Sequence, residues 1–297
     1  MLNIQVDIYS GLPNPTFTLS EQEARNILKE IALNKGVITN SNVRPSHLGY
    51  RGINISFQSD NIPHQYGLPA SFGLANGLSM LESKGREIAE SLLQSSSTSS
   101  ASLLNGSPLS PTLTKWVINQ VKDLPSFSYF KNEEHQLFKS EDETLPCAFE
   151  KVAFEPGFWN ETDHVSKNNC YNFATNRRTD TFAQPGRASG HTYNEITCEI
   201  ITNGAIADGS HKVDSCFQES EKPRFLMALV VAPGPEFVDY HWYRQCSDGS
   251  WGHKPGHTPA RNTDESNQVI TDPSKANRGP YTLFCGYMLA PKSMNVN

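Results

Sequence analysis

The first 146 residues contain no cysteine. All six stand at 147, 170, 198, 216, 246 and 285, and no two form a C-x-x-C pair, so the ligand pattern of a structural zinc site is missing. Free thiols are the expectation for a chain of this size. A disulfide joining two of Cys198, Cys216, Cys246 and Cys285 stays open. Long apolar runs are absent too. A membrane helix needs roughly 18 consecutive apolar residues, and the longest run, Phe225 to Pro233 ("FLMALVVAP"), has the length of a strand. There is no basic block: 25 basic residues face 31 acidic ones, a net charge of -6, which speaks against nucleic acid as a partner. The opening "MLNIQVDIYSG" shows neither the charged region nor the long apolar region of a signal peptide. The reading is therefore a cytoplasmic protein without a membrane span, with leaderless secretion as the open alternative. Internal repeats are missing as well.

What is present divides the chain. Alternating Ile4, Val6 and Ile8 predict a strand that "GLPNP" ends. "LSEQEARNILKEIAL" carries Ser20 and Glu23 at capping-box spacing, followed by apolar residues at helical spacing. Residues 52–57 predict a second strand, and "GLSMLESKGREIAESLLQ" a second helix. The run 95–111, rich in Ser, Gly and Pro, reads as a flexible linker or mobile loop. A third helix over "TLTKWVINQVKDL" and a solvated charged stretch, 131–143, follow. The expected organisation is a small α/β domain over 1–94, a linker with a connecting helix over 95–145, and a second domain over 146–297.

The second domain reads as a strand around "FEKVAFEPGF", a helix opening near Cys170, and a loop "TDTFAQPGRASGH". Strands then follow at "TYNEITCEII", "RFLMALVVAP", "DYHWYRQ", "GSWGHKP" and "PYTLFCGYML". A helix followed by an antiparallel meander predicts the α+β class.

The candidate chemistry starts in "SKNNCYNFATN". A thiol attacks as its thiolate, which a helix N-terminus and an imidazolium neighbour both favour. Asn168 and Asn169 are good N-cap residues, placing Cys170 in the first turn. The Cys170 backbone N–H, with Asn168 or Asn169, is the candidate oxyanion donor set. His241 opens one strand, His253 lies on the next, and "CSDGS" between them is turn material, so both imidazoles belong to one hairpin. Asp239 and Asp272 are alternative orienting acids.

Cysteine at a helix start, histidine on a strand, a tight turn and a polar residue on the returning strand resemble the papain-like hydrolases. The spacing is most similar to their NlpC-type and CHAP branch. That resemblance covers roughly residues 150 to 260. It implies a papain-like second domain with Cys170 as nucleophile, His241 as general base and acid, and His253 as the residue orienting it. It also implies a peptide or peptidoglycan-like substrate and no cofactor, as in a peptidase, an amidase, or a delivered toxin or cell-wall-active effector. The chain departs from the pattern in reading "NNCYNFA" where small residues follow the cysteine, and in the long span from Cys170 to His241. From "VDIYSGLPNPTFTLS" to "RGPYTLFCGYM" the chain is also similar to bacterial proteins, which adds no mechanism. Two other readings stand beside it. Cys170 beside aromatics is equally a core thiol of a non-catalytic interaction module. His241, His253 and His257 with Asp239 are the donors of a histidine-bound metal hydrolase.

Overall fold

The computed structural model describes residues 2–19, 21–41, 43–58, 61–96, 109–124 and 147–297. These fall into two units. One takes 2–8, 13–45 and 49–124, and the other takes 9–12, 46–48 and 147–297. The Ser20–Glu23 capping pair, most of the Ser/Pro-rich run and the charged stretch 131–143 lie wholly or partly outside the described residues.

In the first unit, strands β1 (Leu2–Asp7), β2 (Thr16–Thr18), β3 (Gly52–Phe57) and β4 (Ser71–Leu74) form an antiparallel sheet in the order β2-β1-β3-β4. Strict alternation sends Ile4, Val6, Ile53, Ile55 and Phe72 into the core and leaves Asn3, Gln5, Asn54 and Ser56 on the other face. Helices α1 (Glu21–Leu33), α2 (Asn61–Tyr66), α3 (Glu82–Ser96) and α4 (Pro111–Asp123) complete the unit. Ile27, Leu28 and Ile31 of α1 and Ile88, Leu92 and Leu93 of α3 are buried, the helical periodicity legible in the sequence. Ser110 caps α4 by accepting the N–H of Leu113 at 3.1 Å. At one end of the sheet Asp7 and Arg51 form a buried ion pair at 2.6 Å, with the Asn14 amide donating to the same carboxylate oxygen.

The second unit opens with α5 (Pro156–Asn160), α6 (Cys170–Ala174) and α7 (Cys198–Ala207). Its sheet runs β5-β9-β6-β7-β8, from β5 (His211–Lys212), β6 (Phe225–Pro233), β7 (Val238–Gln245), β8 (Trp251–His253) and β9 (Leu283–Ala290), antiparallel throughout. With its helices, the chain is α+β.

Three expectations change here. The stretch "TYNEITCEII" is the approach to helix α7 and not a strand. Its β-branched residues favour a strand, but Thr197 accepts the Ile200 N–H and Ile201 and Ala205, four apart, bury in the core. Around "FEKVAFEPGF" there are only single bridges, Glu150 to Phe225 and Val152 to Cys246, before Pro156 starts a helical turn. Four of the six cysteines are cross-linked rather than free: Cys147 with Cys216, and Cys198 with Cys285. Cys285 sits where the β6–β9 register slips by one residue, a bulge that offers it to α7. Among the described residues no helix is long and apolar enough to cross a membrane.

Candidate functional site

Helix α6 is five residues long, and its start is set by Asn169. The Asn169 carboxamide oxygen accepts the N–H groups of Tyr171 and Asn172 at 3.1 and 3.2 Å, while the Asn172 side chain accepts the Asn169 N–H at 3.1 Å. Of the two candidate caps the structure uses Asn169. Its amide nitrogen donates to Gly11 O and Ala183 O, so both donors are spent. Asn168 is spent likewise: its amide donates to His164 O and to Asp180, whose own N–H it accepts. Neither carboxamide is left to hold an oxyanion, which corrects that part of the sequence reading.

Cys170 is fully buried and joins the core that Tyr171, Ala174, Ile201, Met227, Tyr240 and Trp242 build. The backbone N–H groups of Trp242 and of Cys170 itself favour its thiolate. Burial pushes the thiol well up from its ordinary value, and the Asp239 carboxylate adds to the rise. The N–H of Trp242 and the Lys254 charge pull the other way without winning. The dipole of so short a helix is a small term beside complete desolvation. The expected depressed thiol is therefore not the resting state of this site.

The two histidines do meet. His241 Nε2 lies 2.8 Å from His253 Nδ1, and His253 Nε2 lies 3.0 Å from the Thr263 carbonyl. The register explains it: Tyr243 pairs with His253, so residues 241, 243 and 253 share a face of the hairpin. Their rings pack together, with Tyr281 against His241 at 5.6 Å between centroids. A carbonyl accepts, so His253 donates from Nε2 and accepts at Nδ1 from the His241 Nε2–H, an arrangement of neutral rings. Burial holds the His253 imidazole well below its usual range.

Helix α6 packs on the other face of β7. There Tyr171 meets Trp242, and Arg244 donates to Phe173 O at 2.7 Å. The N–H of Trp242, the residue following His241, is among the groups that favour the Cys170 thiolate. Cys170 thus packs on the face of β7 that carries Tyr240 and Trp242, while His241 and His253 lie on the opposite face.

Asp239 does not orient His241. Its carboxylate accepts the N–H groups of Ser10, Gly11 and Leu12 and the Tyr281 hydroxyl, the last at 2.6 Å. Burial raises it to about 6 against those hydrogen bonds. The segment 9–12 thereby links Asp239 to Asn169, whose amide donates to Gly11 O. Asp272 lies elsewhere, in a turn with Ser274, Lys275 and Tyr287. His257 is also apart: it bonds Ser166 O and stacks on Phe182. The donors of the metal reading are thus dispersed, and among the described residues no group of three His, Cys, Asp or Glu is placed to hold an ion.

Lys254 was missed by the sequence reading. It is fully buried, and its ammonium donates to Val165 O and Asn168 O at 2.5 Å and to Gly256 O at 2.7 Å. The signal was there: a residue beside an inward histidine on a strand faces the opposite side, here the side of α6.

No protein-family model matches the chain, and no solved structure matches it. Among curated proteins, insoluble matrix shell protein 1 of Ruditapes philippinarum is 44% identical over 144 residues, 48% of this chain and 93% of the relative. With that identity across nearly all of the relative, the chain belongs to the family of insoluble matrix shell protein 1.

Proposed function

We propose that the second unit is a papain-like thiol hydrolase, a peptidase or amidase whose acyl transfer runs through Cys170. The observation that carries this reading is the buried His241–His253 pair, anchored on Thr263 O, on the strand against which helix α6 packs. Two hydrogen-bonded imidazoles sealed in a core are costly to desolvate, and orienting a base is a reason to keep them. Cys170 and His241 pack on opposite faces of β7, so in this mechanism the helix start and the strand must first part to bring the two side chains together; His241 then takes the thiol proton and the sulfur adds to the carbonyl carbon. Backbone N–H groups hold the oxyanion, and His241 returns its proton to the leaving amine. Water, deprotonated by His241, then cleaves the thioester. His253 keeps the His241 ring in place. The resting site is closed, so substrate entry must expose the sulfur and relieve the desolvation that holds the thiol neutral.

The test uses the intact, oxidised protein with an electrophilic acyl-peptide probe and with peptide and peptidoglycan substrates. Labelling at Cys170 that H241A suppresses, and turnover lost in C170A, are the expected results. A Cys170 labelled only after denaturation, together with equal behaviour of wild type and C170A, sinks the hydrolase reading.

That second outcome selects a non-catalytic interaction module, the reading favoured by the complete burial of Cys170 and by the relative's name, a shell matrix protein. Under either reading we place the protein in an oxidising compartment, because two disulfides hold the second unit. That favours export over the cytoplasmic expectation. Mass spectrometry of thiols in freshly lysed producing cells checks it: four alkylatable cysteines beyond Cys170 and Cys246 would refute export.

A further inference from the structure

A lysine with no water contact has to place three protons. Lys254 places them on three main-chain carbonyls, two in the loop that leads into Cys170 and one in its own turn. Three acceptors at 2.5–2.7 Å demand three donors, so the nitrogen is an ammonium; a neutral amine would point its lone pair at one carbonyl. Asn168 O belongs to the residue two before Cys170, and Lys254 is the residue after His253. Two consecutive side chains of one strand end therefore reach the two halves of the site: His253 on one face holds His241, and Lys254 on the other holds the approach to Cys170.

We propose that Lys254 is a positioning residue of the Cys170 centre, tying the loop that delivers the thiol to the strand that delivers His253 and keeping a buried positive charge beside the sulfur. The proposal rests on the thiol-hydrolase reading for its purpose, but its test needs no turnover. The charged neighbours whose field the thiol feels are Asp239 on β7, which disfavours the thiolate, and Lys254, which favours it. The buried hydroxyls of Tyr193, Tyr240 and Tyr243 feel the thiolate in turn. His241 and His253 complete the surroundings as neutral rings. A structural clamp alone needs hydrogen bonds and no charge. A positioning cation needs both.

Two variants of the full oxidised chain separate these roles. Lys254→Gln keeps an amide donor and removes the charge, and Lys254→Arg keeps both donor and charge. The measurement is the alkylation rate of Cys170 by iodoacetamide against pH, with the modified residue identified by mass spectrometry and the fold checked by near-ultraviolet circular dichroism. We expect K254Q to move the midpoint upward by about one pH unit, so that the rate below the midpoint falls about tenfold, and K254R to stay near wild type. Equal midpoints in wild type and folded K254Q overturn the proposal, whatever the protein does to peptides. If K254Q does not fold, K254M, which removes the charge without burying an amide, decides by the same criterion: a midpoint raised by about one unit upholds the proposal, and an unchanged one overturns it. Loss of turnover with Cys170 still labelled in the native wild type would remove the hydrolase reading and leave this result standing, whereas a Cys170 labelled only after denaturation overturns both.

Discussion

The two sheets use the same alternation of side chains for different ends. In the first unit it separates chemistry by face: Ile4, Val6, Ile53 and Ile55 inside, Asn3, Gln5, Asn54 and Ser56 outside. There the buried Asp7 carboxylate faces the buried guanidinium of Arg51 at 2.6 Å. In the second unit β7 is buried on both faces. One face carries Tyr240, Trp242 and Arg244 against α6, and the other Asp239, His241 and Tyr243. Here a carboxylate and two imidazoles are stabilised by main-chain groups and by one another rather than by opposite charges. A buried ion pair neutralises itself, whereas a buried carboxylate held by neutral donors and raised to about 6 can change protonation near neutrality.

The largest test of this contrast is reduction. Both disulfides lie in the second unit and close loops of 69 and 87 residues. Each contributes roughly 4 kcal/mol by the chain-entropy estimate. Under a thiol reductant, hydrogen exchange should lose protection along β6, β7 and β9 while the amides of β1 and β3 keep theirs. Equal loss in both sheets would remove the distinction between the units.

Next comes the ion pair. Asp7→Ala strands Arg51 in the core of the first unit and should cost about 3–5 kcal/mol in a denaturant titration. A loss below about 1 kcal/mol would mean that the pair is not buried in solution.

Asp239 and His253 sharpen the comparison through pH. Native Asp239, near 6, binds its proton more tightly than the unfolded chain, whose value is 3.8. Folding thus takes up a proton between these limits, and stability falls as pH rises through them, by about 3 kcal/mol in all. His253 acts oppositely. Its native imidazole stays neutral, so the unfolded chain alone takes a proton below its ordinary 6.5, and stability falls as the pH drops. Thermal melts between pH 4 and 6.5 should therefore show D239N more acid-sensitive than wild type and H253Q less so. The same slope in all three proteins would contradict the burial of both groups.

Much of this was legible. Ile4, Val6 and Ile8, the helix of Ile27 and Ile31, and the β7–β8 hairpin follow from period and turn chemistry alone. The shared face of His241 and His253 depended on one residue of register, which the turn fixes. Other features lay beyond the sequence because tertiary packing decides them. Helix α7 overrode its β-branched residues through a cap and two core contacts. The Cys198–Cys285 disulfide depended on a bulge that no local pattern announces. The thiol's rise came from burial, to which a motif such as "NNCYN" is blind. Asp239 was read as an orienting acid, but its partners come from residues 10–12, more than two hundred positions away.

The smallest effect compares two caps of similar geometry. Ser110 is exposed and accepts one N–H at 3.1 Å, so S110A should cost about 1 kcal/mol. Asn169 accepts two at 3.1 and 3.2 Å, but it is fully buried and its amide also donates to Gly11 O and Ala183 O. Removing it leaves desolvated donors and acceptors behind, so N169A should cost about twice as much or more. It should also loosen the start of α6, which exchange at the Tyr171 and Asn172 amides reads directly. Helix α4 should answer S110A with fraying of its first turn alone. Equal costs for the two variants would show that Asn169 merely caps a helix, and that the position of Cys170 is held by the carbonyl clamp of Lys254 instead.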